Sequence, residues 1–325
     1  MRTQYATTKL AVLICLATAF LAIVGIQSAN VATINEGWLQ LPDCTRIPWS
    51  ISATASMIAL ASWAMVFSLS VSAFTFRVSP DTLRRCAIAC VLSATVLDML
   101  SSRMLGSNNV AGHILPYANH YGTVMYCAAA LALCGRRRNL IVAAWLLVCC
   151  YLLNARYACG VILAMMTVRI LPDRWRRPLL LCVLVAICLG LCIEIHYLVH
   201  KRQHEWTVAT AILTRWPMFG AGTKANIYLA PLFAATCHWS THQNGHNDIL
   251  MWLQEYGTIG TSLLVTIGVG ITAALRRHWT WNMASFALCC VLLHSMFDSP
   301  LHSLAALGMI ICLVFNAVKK NLVRK

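Results

Sequence analysis

The histidine at position 246 stands where a general base could act. It directly precedes an apolar stretch that begins at Ile249, and Asn247 or Asp248 is suited to cap the helix that this stretch predicts. Histidine is the side chain that exchanges protons most readily near neutral pH, which suits it to accept a proton from a hydroxyl group. A helix N-terminus at a membrane surface also favours anions. The alternative is an interfacial histidine with a purely structural role, and the spacing alone leaves this open.

Two arginines have the chemistry to bind a phosphate. Arg156 lies between two apolar runs of about 15 residues, or about 22 Å each, so its turn is expected slightly inside a membrane core of about 30 Å. An arginine there is costly unless it binds an anion. Arg202 lies where a helix gives way to the longest hydrophilic stretch, and the arginine fork matches phosphate oxygens better than lysine does. The alternatives are snorkelling of Arg156 to the headgroups and an anchoring role for Arg202. Arg215 and Lys224, on the same stretch, are expected to be solvated or to face lipid phosphates.

Histidine spacing also permits a metal-site hypothesis. Two histidines four residues apart on a helix can share one metal ion. Such spacing recurs in the sets His196–His200–His204 and His238–His242–His246, and His294 and His302 flank Asp298. However, Gly245 and Pro300 interrupt two of these sets, and the chain has no His-Glu-x-x-His motif. We therefore expect no metal and no cofactor.

The composition defines the elements that must position these residues. The 325 residues are 59% hydrophobic and 11% charged, with a mean hydropathy of +0.69. A soluble domain usually has about a quarter of its residues charged, so this class is excluded. The chain is expected to be an all-α, polytopic transmembrane bundle of about ten helices, forming one membrane domain over residues 1–325. The predicted helices are Leu10–Ser28, Trp49–Phe76, Cys86–Met104, Tyr121–Cys134, Leu140–Asn154, Tyr157–Leu171, Leu179–Leu198, Ile249–Leu275, Trp281–Phe297 and Leu301–Val318.

The basic residues predict the orientation of this bundle. The chain has 25 Lys+Arg against 10 Asp+Glu, and most of the basic residues fall in alternate links between the apolar runs. By the positive-inside rule, both termini are expected in the cytoplasm. Residues 199–248 then form the larger loop outside the cytoplasm, and any active site faces the periplasm or the cell exterior. Basic and aromatic residues do not alternate as on a nucleic-acid-binding surface, so the expected partners include membrane lipids and no nucleic acid.

Several short motifs resemble those of the bacterial O-antigen ligase and polymerase family. His246-Asn247, nine residues and then Gly257-x-x-Gly260 is similar to the family's signature. The other matching elements, in chain order, are Asn154–Ala158, Arg202-x-x-x-Trp206, Pro217-x-x-Gly220-x-Gly222 and His294–Leu301. Together they cover roughly residues 140–318. Asn154 and Ala155 replace the hydroxyl residues usual in the first element, and residues 1–130 match no element of the family.

The resemblance implies an enzyme of the bacterial inner membrane that uses an undecaprenyl-diphosphate-linked glycan on the periplasmic side, where residues 199–248 would form the larger periplasmic loop. The implied reaction transfers the glycan to a hydroxyl of lipid A-core, inverting the anomeric centre without a metal ion. His246 would be the general base, and Arg156 and Arg202 would bind the diphosphate. The residues implied in substrate binding are Asn247, Trp206, Arg215 and Asp298. Three alternatives stay open: an O-antigen polymerase of the same family, an enzyme that transfers the glycan to protein, and a transporter of lipid or glycan.

Overall fold

The computed structural model describes residues 2–35, 38–40, 48–75, 79–104, 118–135, 139–229, 246–275 and 279–318. Over these residues the regular secondary structure is helical, apart from a short antiparallel hairpin of β1 (Thr33–Asn35) and β2 (Trp38–Gln40), and turns and loops connect the elements. The α-helices are α1 (Arg2–Ala29), α2 (Ala53–Thr75), α3 (Pro80–Met104), α4 (Ala118–Leu133), α5 (Leu140–Leu152), α6 (Arg156–Ile170), α7 (Asp173–Arg215), α8 (Asp248–Leu275), α9 (Met283–His294) and α10 (Leu304–Ala317). The all-α prediction is therefore confirmed.

Each predicted apolar run coincides with one of these helices, and α7 shows the largest difference. Residues 199–215, expected in the periplasmic loop, continue α7 as a helix of 43 residues. Glu205, Ala209, Ile212 and Trp216 are all buried. They recur at helical intervals, so this part of α7 buries one face and is amphipathic. A search for continuous apolar runs does not detect such a helix.

The helices have membrane character. Among the described residues, three segments are long and apolar enough to span a membrane: Ala11–Ala29, Ala53–Ser72 and Asp248–Ala273. Large apolar side chains such as Leu69, Leu97 and Val269 are exposed on the helix surfaces. This surface is typical of proteins whose surroundings are lipid.

The single domain expected from the sequence divides into two compact units. Unit 1 comprises Met1–Val71 and Tyr197–Arg277, and unit 2 comprises Ser72–His196 and His278–Lys325. The long helix α7 contributes to both.

Aromatic side chains form the core of unit 1. Phe20 of α1 packs edge-on against Tyr256 of α8 and Trp63 of α2, with ring centroids 5.1 and 5.4 Å apart. A second buried cluster joins Trp49 and Trp216, whose rings are 4.9 Å apart, with Ile212. These contacts hold α1, α2 and α8 together and fix the C-terminal end of α7 against the segment before α2.

Unit 2 is built around α4, whose residues from Tyr126 to Ala132 are fully buried. Helices α3, α5, α6, α9 and α10 all pack against it. Small residues such as Ala128 and Ala130 let the neighbouring helices approach closely. The helix ends of unit 2 gather at two opposite ends of α4.

Hydrogen bonds mark both ends of unit 2. At one, which we call the arginine end, the Asn316 side chain donates to the Pro80 carbonyl (3.4 Å), and Arg169 donates to the Gly135 carbonyl (2.8 Å). At the other, the histidine end, Asn119 at the start of α4 donates to Asp298 (2.5 Å), which follows the end of α9.

Candidate functional site

Helix α8 is interrupted at Gly257, whose backbone has φ 65° and ψ −171°. In a continuous helix the N–H groups of Thr258 and Ile259 would donate to the carbonyls of Gln254 and Glu255. The interruption separates these donors from their acceptors. Because buried backbone groups must be paired, the interruption requires new partners.

The loop that follows α7 supplies these partners. Its N–H groups donate to the released carbonyls, and its own carbonyls accept from the released N–H groups. The bonds run from Ala221 N to Gln254 O (2.7 Å), Gly222 N to Glu255 O (3.0 Å), Thr258 N to Pro217 O (2.8 Å) and Ile259 N to Met218 O (3.1 Å). We call residues 217–222 together with residues 254–259 the α8 break.

Three glycines of the α8 break have positive φ, and of these Gly222 (φ +84°) leaves no room for a Cβ beside Ser50, whereas the other two contact the opposite segment of the break. Gly220 has φ +68°, and a Cβ there would overlap the carbonyl oxygen of Gln254. Gly257 has φ +65°, and a Cβ there would overlap the backbone of Met218. Both positions combine a left-handed backbone with a close backbone approach, so both require glycine. The α8 break therefore joins two of the motif segments quoted above, Pro217–Gly222 and His246–Gly260.

Buried polar side chains surround the α8 break, and the sequence analysis missed them. Gln27 of α1 donates from Nε2 to the carbonyls of Phe219 (2.7 Å) and Glu255 (2.8 Å). The Glu255 carboxylate is 2% exposed and accepts from the Lys224 N–H (2.7 Å). An acidic residue inside an apolar run was the available signal, because such residues are rare in membrane helices and are usually functional.

His246 lies at the start of α8 and is half-buried. Its φ of 42° is uncommon for a residue other than glycine, and such conformations cluster at functional sites. Asn247 caps the helix, because its Oδ1 accepts from the Leu250 N–H (3.0 Å). The expected cap is thus confirmed at Asn247, while Asp248 is fully buried.

Arg202 forms an ion pair with Glu205, one turn further along α7. Its Nη1 lies 3.1 and 3.2 Å from the two carboxylate oxygens. The side chains of Arg202 and Glu205 are 18% and 6% exposed. The Arg202 Nε is buried and has no hydrogen-bond partner among the described residues. Arg202 is therefore a largely buried cation that an internal carboxylate already neutralises.

Two further predicted residues lie on the same part of α7. Trp206 is half-buried, and its indole N–H has no partner within the described part of the chain. Arg215 is exposed, with its guanidinium 5.6 Å from the ring centroid of Trp216, a cation–π arrangement.

Arg156 and Asp298 belong to unit 2, whereas the other predicted site residues belong to unit 1. Arg156 is exposed as the first residue of α6, and its Nε donates to Asn154 Oδ1 (3.2 Å). Asn154 has φ 56° in the tight turn from α5. These two helices have 13 and 15 residues, so they are as short as the sequence predicted.

Asp298 belongs to a buried hydrogen-bond network at the histidine end. Besides Asn119, it accepts from the Ser299 N–H (2.8 Å), and its Oδ2 lies 3.8 Å from His294 Nε2. His294 Nδ1 is 3.0 Å from Thr123 Oγ1, whose hydroxyl donates to the Asn119 carbonyl. The sequence analysis found His294 and Asp298 but missed their partners on α4.

Metal ligands are not grouped in the described part of the chain. Among residues 2–229, 246–275 and 279–318, less the gaps given above, no three His, Cys, Asp or Glu side chains lie together as a metal site requires. His238 and His242, which belong to the metal-site hypothesis, lie outside the described residues.

Comparison with known proteins does not identify a family for this chain. No protein-family model matches the chain, and no curated protein is significantly similar to it.

Proposed function

We propose that this chain is a membrane glycan transferase similar to O-antigen ligases. One observation carries the proposal. The two motif segments Pro217–Gly222 and His246–Gly260 lie against each other, joined by reciprocal backbone hydrogen bonds at the α8 break. Motifs that are separated in the sequence and yet form one structural feature support a common origin with that family better than the short patterns do alone.

The proposed reaction uses a glycan linked to undecaprenyl diphosphate. His246 accepts the proton of an acceptor hydroxyl, whose oxygen attacks the anomeric carbon of the glycan. The bond from that carbon to the diphosphate oxygen breaks, and the lipid diphosphate leaves with the electron pair. Direct attack inverts the anomeric centre, and the proposed acceptor is a sugar of lipid A-core.

Unit 1 contains the residues that support this proposal. His246 is half-buried and has a left-handed backbone at a helix start, where a positive dipole favours the departing anion. Arg202 is a candidate for the diphosphate because Glu205 binds one terminal nitrogen and so fixes the orientation of the guanidinium. The proposed roles of Asn247, Trp206 and Arg215 in substrate binding follow the resemblance.

The proposed roles of Arg156 and Asp298 rest on the resemblance alone. Arg156 is an exposed cation at a helix N-terminus, where a positive charge is unfavourable without an anion. Asp298 is buried with both oxygens engaged, which fits a role in shaping the turn after α9 better than direct contact with a sugar.

The proposed setting is the inner membrane of a bacterium. About ten helices cross or enter the bilayer, both termini lie in the cytoplasm, and the start of α8 faces the periplasm. The long apolar segments of α1, α2 and α8 support the membrane location.

One observation favours a different class, a lipid or glycan transporter. Discontinuous membrane helices often form the binding sites of transporters, and α8 is discontinuous at Gly257. The close packing of the α8 break favours the transferase, because the released backbone groups are paired within the protein rather than directed at a ligand.

The discriminating experiment is the lipopolysaccharide profile of a deletion strain. Loss of all polymer from lipid A-core, with accumulation of the lipid-linked polymer in the periplasmic leaflet, supports the ligase. Capping by single repeats indicates the polymerase, and loss of glycan from a protein indicates the protein-directed enzyme. Accumulation of the lipid-linked glycan in the cytoplasmic leaflet indicates the transporter, and an unchanged profile contradicts the proposed function.

A further inference from the structure

A cavity of about 820 Å³ lies at the arginine end of unit 2. Helices α3, α4, α6, α7 and α10 and the start of α9 contribute to its walls. Its volume lies within the range of small-molecule sites, roughly 300–1,000 Å³.

The charge of this cavity is strongly unbalanced. Among the described residues that line it, five are arginines and Asp173 is the sole carboxylate: the arginines are Arg84, Arg169, Arg174, Arg176 and Arg177. Concave walls of one charge concentrate the electric field and attract ions of the opposite sign.

Two of these arginines pair with carboxylates. Arg84 pairs with Asp81 at 3.0 Å, and the two side chains are 16% and 41% exposed. Arg176 pairs with Asp173, and these side chains are 18% and 85% exposed. In each pair the guanidinium is the more buried partner. The pair of Arg176 with the exposed Asp173 contributes little and is screened by salt, and Arg169, Arg174 and Arg177 add further positive charge, so the lining of the cavity stays positive.

Main-chain carbonyls orient two of the guanidinium groups before any ligand binds. Arg169 donates from Nη2 to the Gly135 carbonyl at 2.8 Å. Arg176 donates from Nε to the Leu171 carbonyl (3.1 Å) and from Nη2 to the carbonyl of Arg169 (3.3 Å). These bonds hold two like-charged groups in one cavity, which is unfavourable unless an anion binds between them.

The start of α7 adds to the positive potential. Arg174, Arg176 and Arg177 occupy the first turn of this helix, where the helix dipole is itself positive and cations are disfavoured. Arrangements of this kind are stabilised by an anion at the helix N-terminus.

From these observations we propose that the arginine-end cavity binds a phosphate-bearing anion. Phosphate suits the site because several guanidinium forks can share its oxygens, and the volume accommodates a group larger than one phosphate. The anion could belong to a lipid headgroup or to a soluble phosphate ester, since apolar side chains such as Leu133, Leu180 and Val318 also line the cavity. Basic pockets between membrane helices are known to bind anionic headgroups.

The predicted orientation puts this end at the cytoplasmic face of the membrane. The inference does not depend on the proposed transferase function, and either can fail without the other.

The test uses the purified full-length protein with two probes. Calorimetry in lipid-free detergent measures binding of inorganic pyrophosphate, the soluble probe. Native mass spectrometry from nanodiscs measures retention of phosphatidic acid over phosphatidylcholine, the lipid probe. The variants are Arg177→Gln, which removes an exposed lining cation, and Arg169→Lys, which keeps the charge but loses the fork.

Arg85→Gln is the matched control. Arg85 is an exposed arginine next to Arg84 on α3, but unlike Arg84 it does not line the cavity. We expect Arg177→Gln to weaken binding of at least one probe by about fivefold to tenfold, with Arg85→Gln unchanged. Pyrophosphate binding would identify a soluble ligand, and selective lipid retention a headgroup. Equal weakening by Arg85→Gln, or no binding of either probe, would overturn the proposal. Arg177→Gln keeps the test valid if Arg169→Lys fails to fold.

Discussion

Gly257 lies directly against the backbone of Met218, with too little space between them for a methyl group. This contact joins the interrupted helix α8 to the loop after α7. The α8 break can therefore be tested by replacing this one glycine with alanine.

Gly257→Ala should destabilise the protein. The backbone conformation of Gly257 (φ 65°, ψ −171°) is essentially restricted to glycine and costs an alanine about 1–3 kcal/mol, and the overlap with Met218 adds to this. Thermal unfolding of the purified protein in detergent measures the effect. Gly268→Ala in the same helix is the control, because nothing lies within 4 Å of a Cβ there. An alanine at 268 should be neutral or stabilising by up to about 1 kcal/mol. Equal midpoints for the two variants would contradict the described geometry of α8.

Gln27→Met should also lower stability, by about 1–3 kcal/mol. Methionine has a similar size but cannot donate to the carbonyls of Phe219 and Glu255, so the α8 break loses its link to α1. The same unfolding measurement applies. Thr18→Val is the control on α1, because Thr18 is exposed and its hydroxyl donates to the Ile14 carbonyl of the same helix. If both variants unfold at the same temperature as the wild type, the hydrogen bonds of Gln27 do not stabilise the α8 break.

His246→Ala should reduce glycan transfer by about 10²–10⁴-fold, the usual contribution of a general base, without loss of membrane insertion. Transfer is measured in vivo at matched membrane levels of the variants. His200→Ala is the control within unit 1, because His200 is an exposed histidine on α7. Normal transfer by His246→Ala would show that His246 is not the general base.

Arg202→Gln should destabilise the protein by about 3–5 kcal/mol, because it leaves the buried Glu205 carboxylate without its cation. Arg215→Gln is the control, since Arg215 is exposed, and it should change stability by less than about 1 kcal/mol, the value of an exposed cation–π contact such as the one with Trp216. The double variant Arg202→Met with Glu205→Met should recover much of the loss. A double variant as unstable as Arg202→Gln would mean that the pair matters for more than charge balance.

Reporter fusions should give the predicted orientation. Fusions after Arg138, Arg177 and Arg277 are expected to be cytoplasmic, and a fusion at Lys224 periplasmic, because basic links stay inside. A cytoplasmic reporter at Lys224 would contradict the proposed function, since the lipid-linked donor is used outside the membrane.

The helices were predictable because apolar runs of sufficient length are a local property of the sequence. The run Ile249–Leu275, for example, coincides with α8 to within a residue. The interruption inside it was not predictable, because glycine is common in membrane helices and Gly257 shows its role only with its partner loop present. The hydrogen bond from Gln27 to the Phe219 carbonyl joins residues 192 positions apart, and no local sequence pattern indicates such a contact.

The candidate site was predicted to a lesser extent. Helix capping at Asn247 follows from local rules and was found. The pairing of Arg202 with Glu205 also lies within one helical turn, but the segment was expected to be a loop, so helical spacing was not applied to it. Partners of Asp298 on α4 could not be found from the sequence, since they depend on how the helices pack.

The four hydrogen bonds between residues 217–222 and residues 254–259 join main-chain atoms, which every residue type possesses apart from the proline nitrogen. The break prescribes its glycines at 220, 222 and 257, and Gln27 through its two side-chain bonds, whereas most neighbouring positions need no particular side chain for these four bonds. A protein lineage could therefore replace most residues around the junction and still inherit it. Distant descendants would then share a shape and a few glycines long after similarity over the whole chain had faded.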